Sequence, residues 1–454
     1  MGLFGTAGIR GSVEETVTPE LALSVGRAVG READTVVVGR DGRQSGVALA
    51  AAVEAGLESA GARVVRLGQV PTPALAWASR GRYGIMLTAS HNPPADNGIK
   101  LFVDGVEFDG DAEDRIERRV ESGLEPAPWD EWGTVERADV LGTYRGTIAD
   151  YADGHGEPLD GLTVAIDCGN GMASLATPQV LQELGGDVRA LNANVDSHFD
   201  ARGSKPTPET LTGLRSFVAD NPDVDLGIGH DGDADRIVIV DSDGGIVHED
   251  TVLAILAEHY TRASDAADPV VLTTPNASGR IDERVEAVGG RVERTGLGVL
   301  HEGIAAIRAD ASEDTEIVFA AEPWKHIHPT LGGWIDGVAS AAVFARLVAN
   351  VGLDALRQPV TDRPYRKDPV RCPDEHKSAA MDALETQLPE AFPDAEVSLE
   401  HGVRLSFPDG SWTLVRPSGT EPYVRVYVES EDVEAMLADV QSVVADAVED
   451  VRGP

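Results

Sequence analysis

The sequence predicts an α/β protein: three related α/β domains in tandem, built on mixed sheets, followed by a smaller C-terminal α+β domain. Three observations carry that prediction. First, the segments 57–64 (LESAGARV), 181–188 (LQELGGDV) and 285–292 (VEAVGGRV) share one pattern of helix end, Gly stop and strand start. Second, each follows an apolar strand candidate, Val36 to Val38, Val164 to Asp167 and Val270 to Thr273, so a βαβ unit recurs three times. Third, the texture changes after about residue 364, where short strand candidates alternate with turns between two helices. A chain of 454 residues with 42% hydrophobic content is also too long for one core. The expected divisions are 1–147, 148–247, 248–363 and 364–454.

Taken in order, the first domain carries the strand candidate at Val36 to Val38 and a second apolar run at Gly84 to Leu87. Loops are expected at Pro126 to Trp132 and Gly154 to Pro158. The second domain has apolar runs at Val164 to Asp167 and Val224 to Gly229, and the third opens on Val270 to Thr273. Thr361 to Tyr365 reads as a linker, followed by an amphipathic helix near His376 to Thr386. Strands are expected at Val403 to Phe407, Ser411 to Arg416 and Tyr423 to Glu429, before a closing helix from Val433 to Val451.

The formal charge of -39, from 77 acidic and 38 basic residues, argues against a nucleic-acid partner. Self-repulsion on that scale is screened in concentrated salt, so the composition points to a halophilic, cytoplasmic protein. Cys168 and Cys372 are the only cysteines, which fits a reducing compartment. No apolar run is long enough to span a bilayer, and no membrane partner is expected. Met1 to Thr6 formally matches a myristoylation pattern, a coincidence of composition.

Asp231-Gly232-Asp233-Ala234-Asp235-Arg236 places three carboxylates at alternate positions directly after an apolar strand. Small residues between them let the oxygens converge on a hard cation such as Mg2+, and Arg236 adds a fixed positive fork. Cation plus Arg is the pairing that phosphoryl transfer needs; the competing reading is a solvated Asp-rich turn. Thr88-Ala89-Ser90-His91-Asn92-Pro93-Pro94 follows the run Gly84 to Leu87, putting Ser90 on a loop at a strand's carboxyl end, where α/β sheets bind ligands. A serine among small residues and next to His91 suits a nucleophile or phosphate carrier, although most serines are neither. Arg416, Ser418, Gly419, Thr420 and, just beyond, Arg425 offer guanidinium, hydroxyl and backbone donors for a phosphate that stays bound; an ordinary Ser-Gly turn is the alternative.

With these motifs in order, the sequence resembles the α-D-phosphohexomutase superfamily, most closely its phosphoglucosamine mutases. FGTAGIRG (4–11), GRDGRQSG (39–46), TASHNPPADNGIK (88–100), DGDADR (231–236) and RPSGTEPYVRVYVE (416–429) correspond to five successive family motifs. The resemblance implies four domains around a central cleft. It implies that Ser90 bears the transferable phosphate, which ligates Mg2+ together with Asp231, Asp233 and Asp235. Lys100 falls at the proton-transfer lysine, while Arg10, Arg43 and His91 support the phosphoserine. Arg416, Ser418, Gly419, Thr420 and Arg425 grip the non-reacting phosphate. The implied reaction moves a phosphoryl group between O6 and O1 of a hexose or hexosamine phosphate, with a catalytic sugar bisphosphate as activator, in a monomer or homodimer.

The family's sugar-reading loop usually runs Gly-Glu-x-Ser-Gly-His; here it is Ala320-Ala321-Glu322-Pro323-Trp324-Lys325-His326. Glu322, Trp324, Lys325 and His326 are therefore the expected sugar contacts, with Trp324 either stacking on a sugar face or packing against the neighbouring loop. Val299 replaces a polar residue of the family, with His301 two positions on as a substitute. DNGIK at 96–100 favours glucosamine 6-phosphate over mannose or glucose phosphates. Two other classes compete: a phosphatase using Asp231 as nucleophile, and a catalytically silent phosphosugar-binding protein.

Overall fold

The computed structural model describes residues 2–5, 8–418 and 421–452. The first sheet contains β1 (Ile9–Ser12), β2 (Thr35–Arg40), β3 (Arg63–Gln69), β4 (Tyr83–Leu87), β5 (Asp96–Val103), β6 (Val106–Glu107) and β7 (Val135–Arg137). A second sheet is made of β8 (Thr163–Asp167), β9 (Asp187–Leu191), β10 (Leu226–His230) and β11 (Ile237–Val240). The third comprises β12 (Asp268–Thr273), β13 (Arg291–Arg294), β14 (Thr315–Glu322) and β15 (Lys325–Ile327). The last holds β16 (Tyr365–Arg371), β17 (Glu396–Ser398), β18 (Val403–Ser406), β19 (Trp412–Pro417) and β20 (Tyr423–Glu429).

One strand plan underlies the first three sheets. Their orders, β3-β2-β4-β5, β9-β8-β10-β11 and β13-β12-β14-β15, match strand for strand. In each, the first three strands are parallel and the fourth returns antiparallel to the third. The repetition expected from the Gly-stop segments is thus a repetition of topology, with β1, β6 and β7 added to the first copy. Helices cover both faces because the parallel strands are apolar on both: Val36 and Val38 face one cluster and Val37 the other.

A single buried cluster runs through all three copies, taking in Val37, Leu75, Ile166, Ile228, Val271 and Phe319 together with the helix Gly337–Val351. That helix is capped by Asp336, whose Oδ1 accepts from the amides of Val338 and Ala339 and from the Tyr144 hydroxyl. Burial on this scale, at roughly 25 cal/mol per Å² of apolar surface, locks the three copies into one body.

The C-terminal sheet is antiparallel throughout, order β16-β20-β19-β18-β17, and has its own core around Leu384, Val415, Val426 and Val440. Its helices are Asp374–Ala391 and Val433–Arg452. The expected strand at Tyr423 to Glu429 is β20. The supposed linker ends earlier than expected, because Tyr365 begins β16. This edge strand carries Arg366, Lys367, Asp368, Pro369 and Arg371, a polar Pro-containing run that hides strand character but suits an unpaired edge. Among the described residues no helix is long and apolar enough to cross a membrane.

Candidate active site

The third-to-fourth strand connection is the chemically loaded part of every copy. It is 88–95 in the first, 231–236 in the second and Pro323-Trp324 in the third. Each contains one non-Gly residue in the left-handed region, Ser90 (φ 51°), Ala234 (φ 62°) and Trp324 (φ 70°). Such backbone costs about 1 kcal/mol or more for a residue with a Cβ and persists only where surrounding contacts enforce it.

At the serine loop the enforcing residue is Arg43. Its guanidinium is fully buried, pairs with Asp41 at 3.0 Å, and donates to the carbonyls of Ser90 (3.0 Å), Asn92 (2.8 Å), Pro93 (2.5 Å) and Asp96 (3.0 Å). Asp41 also accepts from Thr88 Oγ1 at 2.7 Å, and Thr88 Oγ1 accepts from the Ser90 amide at 2.9 Å. The sequence resemblance assigned Arg43 to the phosphoserine's support; the structure places it on the loop's backbone. Ser90 Oγ donates to Asp231 Oδ2 at 2.6 Å and lies 3.2 Å from His91 Nδ1. Burial and the nearby guanidinium groups of Arg236 and Arg10 push the His91 imidazole down to about 3, so it is neutral beside the serine.

In the aspartate loop, one oxygen from each of Asp231, Asp233 and Asp235 lies within 4.8 Å of the others, and all three residues are buried. A Cβ at position 232 would stand 2.6 Å from the Ser90 carbonyl, so only Gly lets the two loops approach this closely. Thr72, at the amino end of the helix Thr72–Ala78, anchors Asp233 with a 2.6 Å bond from its hydroxyl. Lys100 Nζ lies 3.0 Å from Asp235 and 3.5 Å from Asp233, with Glu107 at 3.8 Å. Burial works against its charge, but Asp235, Asp233 and Glu107 outweigh burial and raise its pKa. Burial and the two neighbouring carboxylates raise Asp231 well above the usual range. Burial likewise disfavours ionised Asp235, but Lys100, Lys325 and Arg236 reverse this and hold it low.

The cluster fits a divalent cation. Asp233 Oδ1 and Asp235 Oδ1 are buried without a hydrogen-bond partner among the described residues, a costly state that an oxygen-preferring ion would relieve. Mg2+ is the ion such a donor set suits, with Asp231, Asp233 and Asp235 as its protein ligands. Arg236 Nε stands 3.8 Å from Asp231 and 3.7 Å from Asp235 and has no hydrogen-bond partner among the described residues, so it can donate to an anion.

The third loop is tied to the second through backbone: Arg236 bridges Lys325, and the Ile237 amide donates to the Trp324 carbonyl at 3.1 Å. Lys325 Nζ pairs with Glu322 at 3.0 Å, and both line a cleft with Glu107 and His301. Two expected sugar contacts are placed elsewhere. Trp324 is half-buried and packs against the apolar cluster of Leu211, Val218 and Val238 in the second copy. His326 lies on the other side of its strand from Lys325, buried, with Nδ1 3.0 Å from Ser340 Oγ, because side chains alternate along β15.

In the C-terminal sheet Arg416 and Arg425 are directly opposed across β19 and β20. Arg416 donates to the Tyr427 hydroxyl at 3.0 Å, and Arg425 pairs with Glu421 at 3.1 Å. Arg416 Nε, Arg425 Nε and Ser418 Oγ are buried without partners among the described residues, three donors suited to an anion. Lys377 Nζ donates to the carbonyls of Ser418 and Glu421, both at 2.6 Å, fixing the loop's ends. Gly419 and Thr420 lie outside the described residues.

Family models for phosphoglucomutase/phosphomannomutase match in three places: α/β/α domain I at residues 1–127, α/β/α domain II at 147–244 and the C-terminal domain at 370–447. A phosphopentomutase of Thermococcus kodakarensis is 42% identical, over 95% of this chain and 94% of its own. The chain belongs to the phosphoglucomutase/phosphomannomutase family. It is a phosphohexomutase, an intramolecular phosphotransferase of the isomerase class, with phosphoglucosamine mutase-like relatives. A probable phosphoglucosamine mutase of Methanopyrus kandleri is also 42% identical, with 99% of each chain covered. Among solved structures, a family member from Burkholderia thailandensis is 27% identical with a TM-score of 0.80, covering 98% of this chain and 97% of that one.

Several residues of this phosphohexomutase site escaped the sequence reading. Asp41 lies inside GRDGRQSG, where nothing local marks its role, while Thr72 and Glu107 lie outside the five motifs. Thr72 had a usable signal: a polar residue between Pro71 and Pro73, directly after a strand, marks a helix start at the ligand-binding edge.

Proposed function

We propose that this enzyme interconverts glucosamine 6-phosphate and glucosamine 1-phosphate through a phosphoserine enzyme and a sugar bisphosphate. The observation that carries the reading is the meeting of Ser90 Oγ with Asp231 at 2.6 Å, inside a three-carboxylate cluster ringed by Lys100 and Arg236. In the first half-reaction the bond from phosphorus to Ser90 Oγ breaks, a bond to the sugar hydroxyl forms, and that hydroxyl's proton ends on Ser90 Oγ; in the second, the bond from the bisphosphate's other phosphorus to its sugar oxygen breaks, a bond to Ser90 Oγ forms, and the serine proton passes to that sugar oxygen. Lys100, set among Asp235 and Asp233, is the relay for this proton, and His91, being neutral, orients Oγ without repelling the nearby cations. Mg2+ held by Asp231, Asp233, Asp235 and the Ser90 phosphate would neutralise charge on the transferring group. Arg10 and Arg236 add positive potential beside it.

Arg416, Ser418, Gly419, Thr420 and Arg425 hold the idle phosphate, so the bisphosphate can present either end to Ser90. Glu322 and Lys325 read the sugar between these two ends, with His301 beside them; His326 serves the loop from beneath. The working units are 1–147, 148–247, 248–363 and 364–454, in a cytoplasmic, salt-adapted monomer or homodimer activated by catalytic sugar bisphosphate.

The 42% identical phosphopentomutase supports a second reading, in which a pentose phosphate is the substrate. The deciding experiment compares specificity constants for glucosamine, mannose and glucose 6-phosphates and ribose 5-phosphate, with Mg2+ and the matching bisphosphate. Glucosamine 6-phosphate is expected to lead; a higher value for any other sugar reassigns the substrate. Phosphate label is expected as an acid-stable ester on Ser90. A labile acyl phosphate on Asp231 would refute the serine mechanism.

A further inference from the structure

A second cleft opens in the first copy, away from Ser90, with a volume of about 610 Å³. It is lined by the carboxyl ends of β2 (Val38 to Arg40) and β3 (Arg66 to Gly68), by Val47, Ala50 and Ala51 of the helix Gly46–Ser59, and by Arg137 at the end of β7. The volume falls within the range of small-molecule sites, roughly 300–1,000 Å³.

Its position follows from topology. The chain leaving β2 enters the helix Gly46–Ser59, which packs on the face of Val36, Val38 and Val64. The chain leaving β3 enters the helix Thr72–Ala78, on the opposite face with Val37 and Val65. Adjacent parallel strands whose connections depart to opposite faces leave a crevice at their carboxyl ends, the general ligand position in open α/β sheets. The β2/β3 register shifts between Val38 and Gly39, at the mouth of this crevice. Gly68 (φ +79°) forms an open floor, with nothing within 4 Å of where a Cβ would project.

The lining carries Arg40, Arg66 and Arg137 against Glu54 and Asp139, a net charge of +1 on a chain whose formal charge is -39. Arg66 is paired with the buried Glu54, whereas neither Arg40 nor Arg137 is in an ion pair among the described residues. Arg40 is half-buried, and among the described residues its guanidinium donates to the Asp41 carbonyl alone, at 3.1 Å. Guanidinium groups on one side and Val47, Ala50, Ala51 and Leu67 on the other match a ligand with an anionic end and an apolar or planar body.

We propose that this crevice binds a small phosphate-bearing molecule of mononucleotide size, separately from the sugar phosphate. The test is titration calorimetry of the full chain with adenosine 5′-monophosphate, inorganic phosphate and citrate, in the presence of saturating sugar phosphate to fill the catalytic cleft. Expected is one saturable site for the mononucleotide, weaker binding of inorganic phosphate, and at least a tenfold loss in Val47→Glu and in Arg137→Glu. Val47 is 60% exposed and Arg137 exposed and unpaired, so both variants are expected to keep their melting temperature and basal mutase activity. Arg416→Gln, in the C-terminal loop, should leave mononucleotide binding unchanged. Tighter binding of citrate than of the mononucleotide would overturn the phosphate assignment. Absence of saturable binding, or binding lost in Arg416→Gln and kept in Val47→Glu, would overturn the site.

Discussion

The body formed by the three repeated sheets and the C-terminal sheet are built for opposite tasks. In the body, loops from different copies interlock: Gly232 touches the Ser90 loop, Arg236 bridges Lys325, and one core runs beneath them. The C-terminal sheet has a separate core and meets the body mainly through polar contacts. Buried Arg280 donates to Ser278, Thr251 and the Arg363 carbonyl and lies 3.7 Å from Glu429; Ser278 donates to Glu429 at 2.7 Å. Arg404 donates to the carbonyls of Pro275 and Ala277. The Ser90 and aspartate loops are thus preorganised on one shared core, while the groups suited to an inert phosphate are on a unit with its own core.

The sharpest break between the two regions comes from Ser90→Ala, which is expected to lower kcat by about 10³-fold or more in a coupled mutase assay. An activity within tenfold of the parent would remove Ser90 from the chemistry. Arg280→Met strikes the joint: a buried cation with several partners costs roughly 3–5 kcal/mol when removed. Here the C-terminal sheet should loosen before the body does, seen as earlier proteolytic cleavage near residues 361–364. Uniform loss of stability in both regions would deny the joint its role. Arg425→Gln should raise KM about tenfold, through one lost charged bond of roughly 1.5–3 kcal/mol, and change kcat less. A drop in kcat at unchanged KM would instead put Arg425 among the reacting groups.

Acid should separate the regions by another route. Burial holds His155 and His230 down to about 4 and His326 to about 3, all three in the body. These rings are neutral when folded, whereas the unfolded chain protonates them near 6.5, so stability present above that pH is lost as pH falls toward 4. Calorimetric melting between pH 7 and pH 4 should show the body's transition falling; a flat profile would contradict it. The smallest and most general effect is salt. Screening of the -39 charge should raise the melting temperature between about 0.1 M and about 2 M KCl, where the Debye length shrinks to a few ångströms. Equal values at both ends would exclude the halophilic reading.

The residues that converge through short-range pattern were legible beforehand. The aspartate loop advertised itself through alternating carboxylates, and Gly-stop segments disclosed a topology that recurs strand for strand. Contacts made across copies were not. Nothing near Trp324 in sequence says that its ring meets Leu211, and nothing near Thr72 says that it anchors Asp233. β16 stayed hidden because an edge strand tolerates Pro and charge, the features that argue against strands elsewhere.

Arg43 binds three carbonyls of the serine loop and that of Asp96, which begins β5, from within the core, so that loop has no second shape within easy reach. On the proposed mechanism, a phosphoryl group that comes and goes at Ser90 would change the loop's charge by about two units while its backbone stays fixed. The serine would then act as a stationary post, and the molecule that has to turn around between the two proposed half-reactions would be the sugar.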